Sequence, residues 1–178
     1  VYNYNYKSKE MDLNVCAFKD DKISILDSLV FENIRNFEDI EISVGNISSK
    51  QKALFLSLPD NEDTGFTTQV VYLEQKNLIN AFKDMKVQMK NEYFIPFEDV
   101  NNDGITNIPK IEQSSVTIDT LSTSTFPTSL IISWNKYNGK QDKDADVIFV
   151  SQIYYNYEAN FRFLIPNNLV GKLSIIED

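Results

Sequence analysis

The sequence predicts an all-β chain with antiparallel neighbours. Apolar residues alternate with polar ones over short runs, and turns rich in Asn, Asp, Gly and Pro separate those runs. One stretch, Leu73–Lys90, also sets apolar residues at helical spacing. Hydrophobic residues make up 42% and aromatics 12%, enough for a packed interior. At 178 residues there is room for one large or two small domains. The expected organisation is a single β domain over 1–178, part of a longer protein, with an internal break within 113–129.

From the start, residues 1–10 alternate aromatic and polar, placing Tyr2, Tyr4 and Tyr6 on one face of an outer strand. Leu13–Phe18 and Ile23–Val30 flank Lys19-Asp20-Asp21-Lys22 and predict a hairpin. Ile40–Val44 alternates and is expected to stop at Gly45-Asn46. Ala53–Leu58 ends at Pro59-Asp60, and Phe66–Leu73 follows the Asn61–Gly65 turn. Leu78, Phe82, Met85 and Met89 have helical spacing, yet Lys76-Asn77 suits a hairpin turn. Strand is therefore read for Leu78–Phe82, and loop or a short helix for Lys83–Asn91. Tyr93–Phe97 and Ile105–Ile111 are expected to be the strands of a hairpin around Asp99. Residues 113–129 are Ser/Thr-rich, a linker or a weakly packed strand. Leu130–Tyr137 and Val147–Tyr157 pair around Asn138-Gly139, and Phe161–Ile165 and Leu173–Ile176 close the chain.

The loop from Asp99 to Asn107 (Asp-Val-Asn-Asn-Asp-Gly-Ile-Thr-Asn) carries the most legible chemistry. Calcium prefers six to eight oxygen ligands. Asp99, Asn101, Asp103 and Asn107 can turn side-chain oxygens inward, the Ile105 carbonyl adds another, and Gly104 permits the sharp turn. Counting Asp99 as the first position, the twelfth is Lys110, where an EF-hand needs a bidentate Glu. Pro96 and Pro109 also disfavour flanking helices. The expectation is a structural calcium loop at a β-hairpin tip. Its metal-free counterpart is a network of Asx turns closed on the loop backbone.

This loop between two strands resembles the calcium-binding hairpins of FG-GAP and VCBS-type β-propeller repeats. Further segments are similar to uncharacterised propeller-like lipoproteins of low-GC Gram-positive bacteria. They are Ile42–Ile47, Ala53–Leu56, Ser133–Lys140, Tyr154–Glu158 and Phe161–Phe163. The resemblance implies propeller-like blades or a fragment of a β-propeller, with calcium as a structural cofactor on Asp99, Asn101, Asp103 and Asn107. It also implies an extracellular or cell-surface address. A β-sandwich with one short helix is the alternative architecture.

Other features narrow the function. The net charge of −9 argues against nucleic-acid partners, which call for Lys/Arg stripes. With no histidine, the commonest general base and zinc ligand are missing. The lone Cys16 sits in an apolar run and reads as a small core hydrophobe. No apolar run approaches the roughly 20 residues of a membrane span. The chain opens at Val1, without Met or a signal-type segment, and reads as a trimmed or mature piece. Any lipid anchor belongs to the missing N-terminus. Ser49-Lys50-Gln51-Lys52 fits S-x-x-K but lies in a polar turn, and Asp142, Asp144 and Asp146 read as a charged hairpin tip. Tyr154, Tyr155, Tyr157, Phe161 and Phe163 could stack on sugars, though cross-strand packing explains the alternation better. Trp134 is expected in the core. The function expected is a non-catalytic binding or scaffold domain of an envelope-attached protein, with a protein or glycan partner. The alternative is a hydrolase or accessory domain acting on cell-wall or plant glycans, with no catalytic residue assignable among 26 acids.

Overall fold

In the computed structural model, residues 1–61, 65–83, 89–115, 127–140 and 146–176 are described. They form an all-β structure of three antiparallel sheets, none of which closes on itself. The first sheet is β1 (Tyr2–Asn5), β2 (Glu10–Lys19) and β3 (Lys22–Phe31). β2 and β3 turn at Asp20-Asp21, with φ of 51° and 58°. Both central residues are thus left-handed, as a two-residue hairpin turn of the primed type requires.

The second sheet has the order β4 (Glu41–Ser48), β5 (Gln51–Pro59), β6 (Phe66–Glu74) and β7 (Asn77–Asn80). The short β8 (Lys90–Asn91) pairs with the start of β6. A strand does follow Leu73, but it is Asn77–Asn80 and not Leu78–Phe82: the turn is Gln75-Lys76 in place of Lys76-Asn77, with φ of 58° at Gln75, and Ala81 and Phe82 leave the ladder for a turn. Part of the stretch beyond it, including Met85, lies outside the described residues. β4 does not stop at Gly45-Asn46 but runs on to Ser48. Gly45 is an interior strand residue without positive φ, so the turn moves to Ser49-Lys50.

The third sheet has the order β12 (Phe161–Ile165), β11 (Val147–Asn156), β10 (Ser129–Tyr137) and β9 (Ile108–Ser115). The expected β10–β11 pairing is present, while the Ser/Thr-rich stretch beyond Ser115 and residues Asp142 and Asp144 fall outside the described residues. Leu173–Ile176 is not a strand. Instead the Gln113 amide acts as a surrogate peptide, donating to the Leu173 carbonyl at 3.1 Å and accepting from Ile175 N–H at 3.0 Å. Among the described residues the sole helix is a single 3-10 turn, Asn167–Leu169.

The second sheet is the central layer. Alternation along β5 sends Leu56 and Leu58 to one face, packed with Tyr4, Met11, Leu13 and Phe31 of the first sheet. Ala53 and Phe55 face the other way, packed with Ile108 and Tyr137 of the third. A strand covered on both sides reads as a nearly continuous apolar run, as Ala53-Leu54-Phe55-Leu56 does. A third core joins Leu130, Ile132, Trp134 and Ile153 to Ile95 and Val100. Trp134 is buried there, donating from Nε1 to the Tyr155 hydroxyl at 3.1 Å.

Side chains also stitch the layers. Asp27 on β3 accepts from Leu78 N–H of β7 at 2.7 Å. The buried Asn91 donates to the Pro109 carbonyl at 3.0 Å and accepts from Ile111 N–H at 2.7 Å. A carboxamide has the donor and acceptor of a peptide group, so Asn91 extends the hydrogen bonding of β9 where no strand pairs with it.

Candidate functional site

The Asp99–Asn107 loop lies at the joint between the second and third sheets. It is not a hairpin tip, because Tyr93–Phe97 forms no strand and β9 pairs with β10. The loop is closed by one antiparallel bridge between Glu98 and Asn107. Pro96 lacks the N–H of a ladder donor, and its neighbours diverge. Ile95 joins the Trp134 core while Phe97 packs with Phe55 at a ring separation of 5.4 Å.

Inside the loop, carboxylate and amide oxygens meet backbone N–H groups. Asp99 accepts from Asp103 N–H at 3.1 Å and Gly104 N–H at 2.8 Å, one on each oxygen. Asp103 Oδ1 accepts from Ile105 N–H at 2.8 Å, and its Oδ2 from the Asn101 amide at 3.1 Å. Asn101 Oδ1 accepts from Asp103 N–H at 3.4 Å. Left-handed conformations at Asn102 and Gly104, with φ of 56° and 82°, curl the chain to allow this. The Asp103 carboxyl is held below the usual range, chiefly by the Asn101 hydrogen bond and then by Ile105 N–H. Its small burial opposes the shift, and Lys136 assists it.

Asn107 is fully buried. Its Oδ1 accepts from Val100 N–H at 3.0 Å, and its Nδ2 has no hydrogen-bond partner. Swapping the amide would turn a donor toward the Val100 N–H, so the orphan stays on nitrogen. Asp99 and Asp103 Oδ1 each keep acceptor capacity beyond the N–H they hold, and with Asn101 they are the oxygens that could hold a hard cation, whereas Asp103 Oδ2 already accepts from both the Asn101 amide and Lys136. Asn107 could join only through the second lone pair of an oxygen already engaged. No group of three or more His, Cys, Asp or Glu suited to a metal occurs among the described residues. The loop's acids number two, and its other donors are neutral.

Contacts that sequence reading missed hold the loop in place. Thr106 N–H donates to the Asn46 carbonyl at 2.8 Å, and Asn46 N–H returns to Thr106 Oγ1 at 3.1 Å. The Asn46 amide donates to the Gly104 carbonyl at 3.0 Å. A side chain at Gly45 would collide with Thr106 and come within 2.9 Å of the Phe55 ring. Gly45-Asn46 is thus the loop's docking point on β4; its turn-like composition was the signal, read for the wrong purpose. Lys136 of β10 reaches Asp103 at 3.5 Å, and Arg162 of β12 reaches Glu98 at 3.6 Å.

The remaining candidates are spread elsewhere. Ser49–Lys52 forms the β4–β5 turn. Cys16 is half-buried and not in the core. Tyr154 packs across β11–β12 on Phe161 and Phe163 with centroids at 5.9 and 5.2 Å, while about half of each phenylalanine stays exposed. A polar cleft of about 680 Å³ lies where Glu32, Asn33, Asp60, Gln69, Asn80 and Lys83 converge. Asp60 is bound there to Lys90 at 2.8 Å. No protein-family model, curated protein or solved structure matches this chain.

Proposed function

We propose that this chain is a non-catalytic binding or scaffold domain of an envelope-attached extracytoplasmic protein, in which calcium stiffens the Asp99–Asn107 loop. The observation that carries this reading is the loop's position. One short segment gathers oxygens of Asp99, Asn101 and Asp103 on the backbone N–H groups of Asp103, Gly104 and Ile105, and is tied to β4 and β10, with the adjacent Glu98 tied to β12. A cation held by Asp99, Asn101, Asp103 and the Ile105 carbonyl acts as a brace between two sheets; the chemistry it supplies is electrostatic crosslinking. Consecutive meanders, β4–β7 and β9–β12, support the blade-like reading of the fold. Binding of a protein or glycan partner falls to the exposed sheet surfaces.

The test is calorimetric calcium titration, with melting in calcium and in EDTA, of the chain and of Asp103→Ala. Saturable heat and a melting temperature raised by calcium, both lost in the variant, support the brace. Absence of both leaves an Asx-turn network and overturns the calcium claim. The alternative, a glycan hydrolase, draws on Glu32 and Asp60 lining the polar cleft. Release of reducing sugar from cell-wall or plant glycans, abolished by Glu32→Gln, would favour it.

A further inference from the structure

Two glycines in this chain follow a side chain able to close a ring on the glycine nitrogen. There is one Asn-Gly step, Asn138-Gly139, and one Asp-Gly step, Asp103-Gly104. Both glycines are left-handed, with φ of 77° and 82°, and a Cβ added at either would meet nothing within 4 Å. Without a Cβ, the glycine nitrogen is open to approach by the preceding side chain. Backbone and space make the two steps equal, and their hydrogen bonds separate them.

Gly104 N–H is engaged, donating to Asp99 Oδ2 at 2.8 Å, and Asp103 presents an ionised carboxylate, a poor electrophile. Gly139 N–H has no hydrogen-bond partner among the described residues. Asn138 Oδ1 accepts from Lys140 N–H at 3.0 Å, which makes an Asx turn. That donor polarises the side-chain carbonyl and stands ready for the negative charge its oxygen gains when the carbon is attacked. Asn138 N–H donates to the Asp146 carbonyl at 3.0 Å, and the Tyr137 hydroxyl donates to the Lys140 carbonyl, so the turn is held on both sides. Gly139 and Lys140 are exposed and Asn138 is half-buried, which leaves the step within reach of solvent base.

We propose that Asn138 is a site of spontaneous conversion to isoaspartate and aspartate, through a succinimide closed by the Gly139 nitrogen while Lys140 N–H holds the amide oxygen. Solvent hydroxide removes the Gly139 amide proton, and the nitrogen attacks Asn138 Cγ. A C–N bond forms, the Cγ–Nδ2 bond breaks, and Nδ2 takes a proton from water and leaves as ammonia. Water then opens the ring at either carbonyl. Opening at the former backbone carbonyl gives isoaspartate, with one more carbon in the main chain of the β10–β11 turn; opening at the other gives aspartate. Either product adds a negative charge to a turn that already carries Asp146.

The experiment incubates the intact chain in mildly alkaline buffer, native and in urea, and follows Asn138 and Asp103 by peptide mass mapping with isoaspartate-specific detection. Expected is conversion of Asn138 in the native chain at a rate within about tenfold of that in urea, with Asp103 unchanged in the native chain. Lys140→Pro deletes the N–H donor and should slow native conversion by about tenfold while leaving the rate in urea as it was. Asn138→Gln, whose side chain would have to close a larger ring, should abolish the acidic species seen on isoelectric focusing. Lys140 is exposed and Asn138 half-buried in a turn, so both variants should keep the parent's circular dichroism and Trp134 emission. Conversion confined to urea overturns the proposal, as does native conversion that Lys140→Pro leaves equally fast. Isoaspartate forming at Asp103 in preference to Asn138 would overturn it too.

Discussion

Asn107 concentrates the tension in the loop. A fully buried amide donor without a partner is costly, and a residue there that supplies a second oxygen would suit a cation better. Asn107→Asp should therefore act in opposite directions with and without calcium. In EDTA it should lower stability by about 2 kcal/mol, since it buries an uncompensated charge; calcium should restore it and bind more tightly than to the parent, as paired urea melts would show. Asp103 sets the acid response. Its folded pKa is depressed relative to the unfolded chain, so its contribution is full above the ordinary aspartate range of roughly 4 and is lost as pH falls through the lower folded value. Stability measured in EDTA should accordingly fall less steeply with acid in Asp103→Asn than in the parent.

At the scale of elements, the strands are held as much by borrowed side chains as by their own ladders. Gly45→Ala should push β4 away from Thr106 and weaken the Asn46 contacts, costing about 2 kcal/mol in urea unfolding by forced overpacking. Asn91→Ala should cost about 3 kcal/mol, because the Ile111 N–H and the Pro109 carbonyl both lose their partner. Amide hydrogen exchange at Ile111 should quicken in the same variant. Strand existence was legible where short apolar or alternating runs lie between clear turns, as in β2, β3, β6, β10 and β11. It was not legible for Tyr93–Phe97, whose apolar residues anchor two different cores without joining a ladder. Leu173–Ile176 misled for a related reason, since its hydrogen bonds go to one glutamine side chain.

Across the whole molecule, three cores share the central sheet or its neighbours, and Trp134 reports only the third. The chain has one tryptophan, so its fluorescence is an unambiguous probe of that region. If the Asn91 stitch and the loop couple the layers, Trp134 emission and far-ultraviolet circular dichroism should unfold together in urea. Asn91→Ala should separate the two transitions, with the tryptophan signal lost first. Coincident curves in that variant would mean that packing of Ile108 and Tyr137 on Phe55 suffices for the coupling.

The sequence by itself determined the all-β class, the turn at Asp20-Asp21 and the concentration of oxygen donors between Asp99 and Asn107. These follow from local rules: period-two alternation, residues that tolerate positive φ, and short-range spacing. Tertiary structure decided that the central sheet is packed on both faces, that Gly45-Asn46 receives the loop instead of turning the chain, and that Asn107 points its oxygen at Val100. Those outcomes depend on residues far apart in the chain, such as Asn46 with Thr106 and Leu13 with Leu54. Their meeting is set by how the sheets stack, which no local pattern encodes.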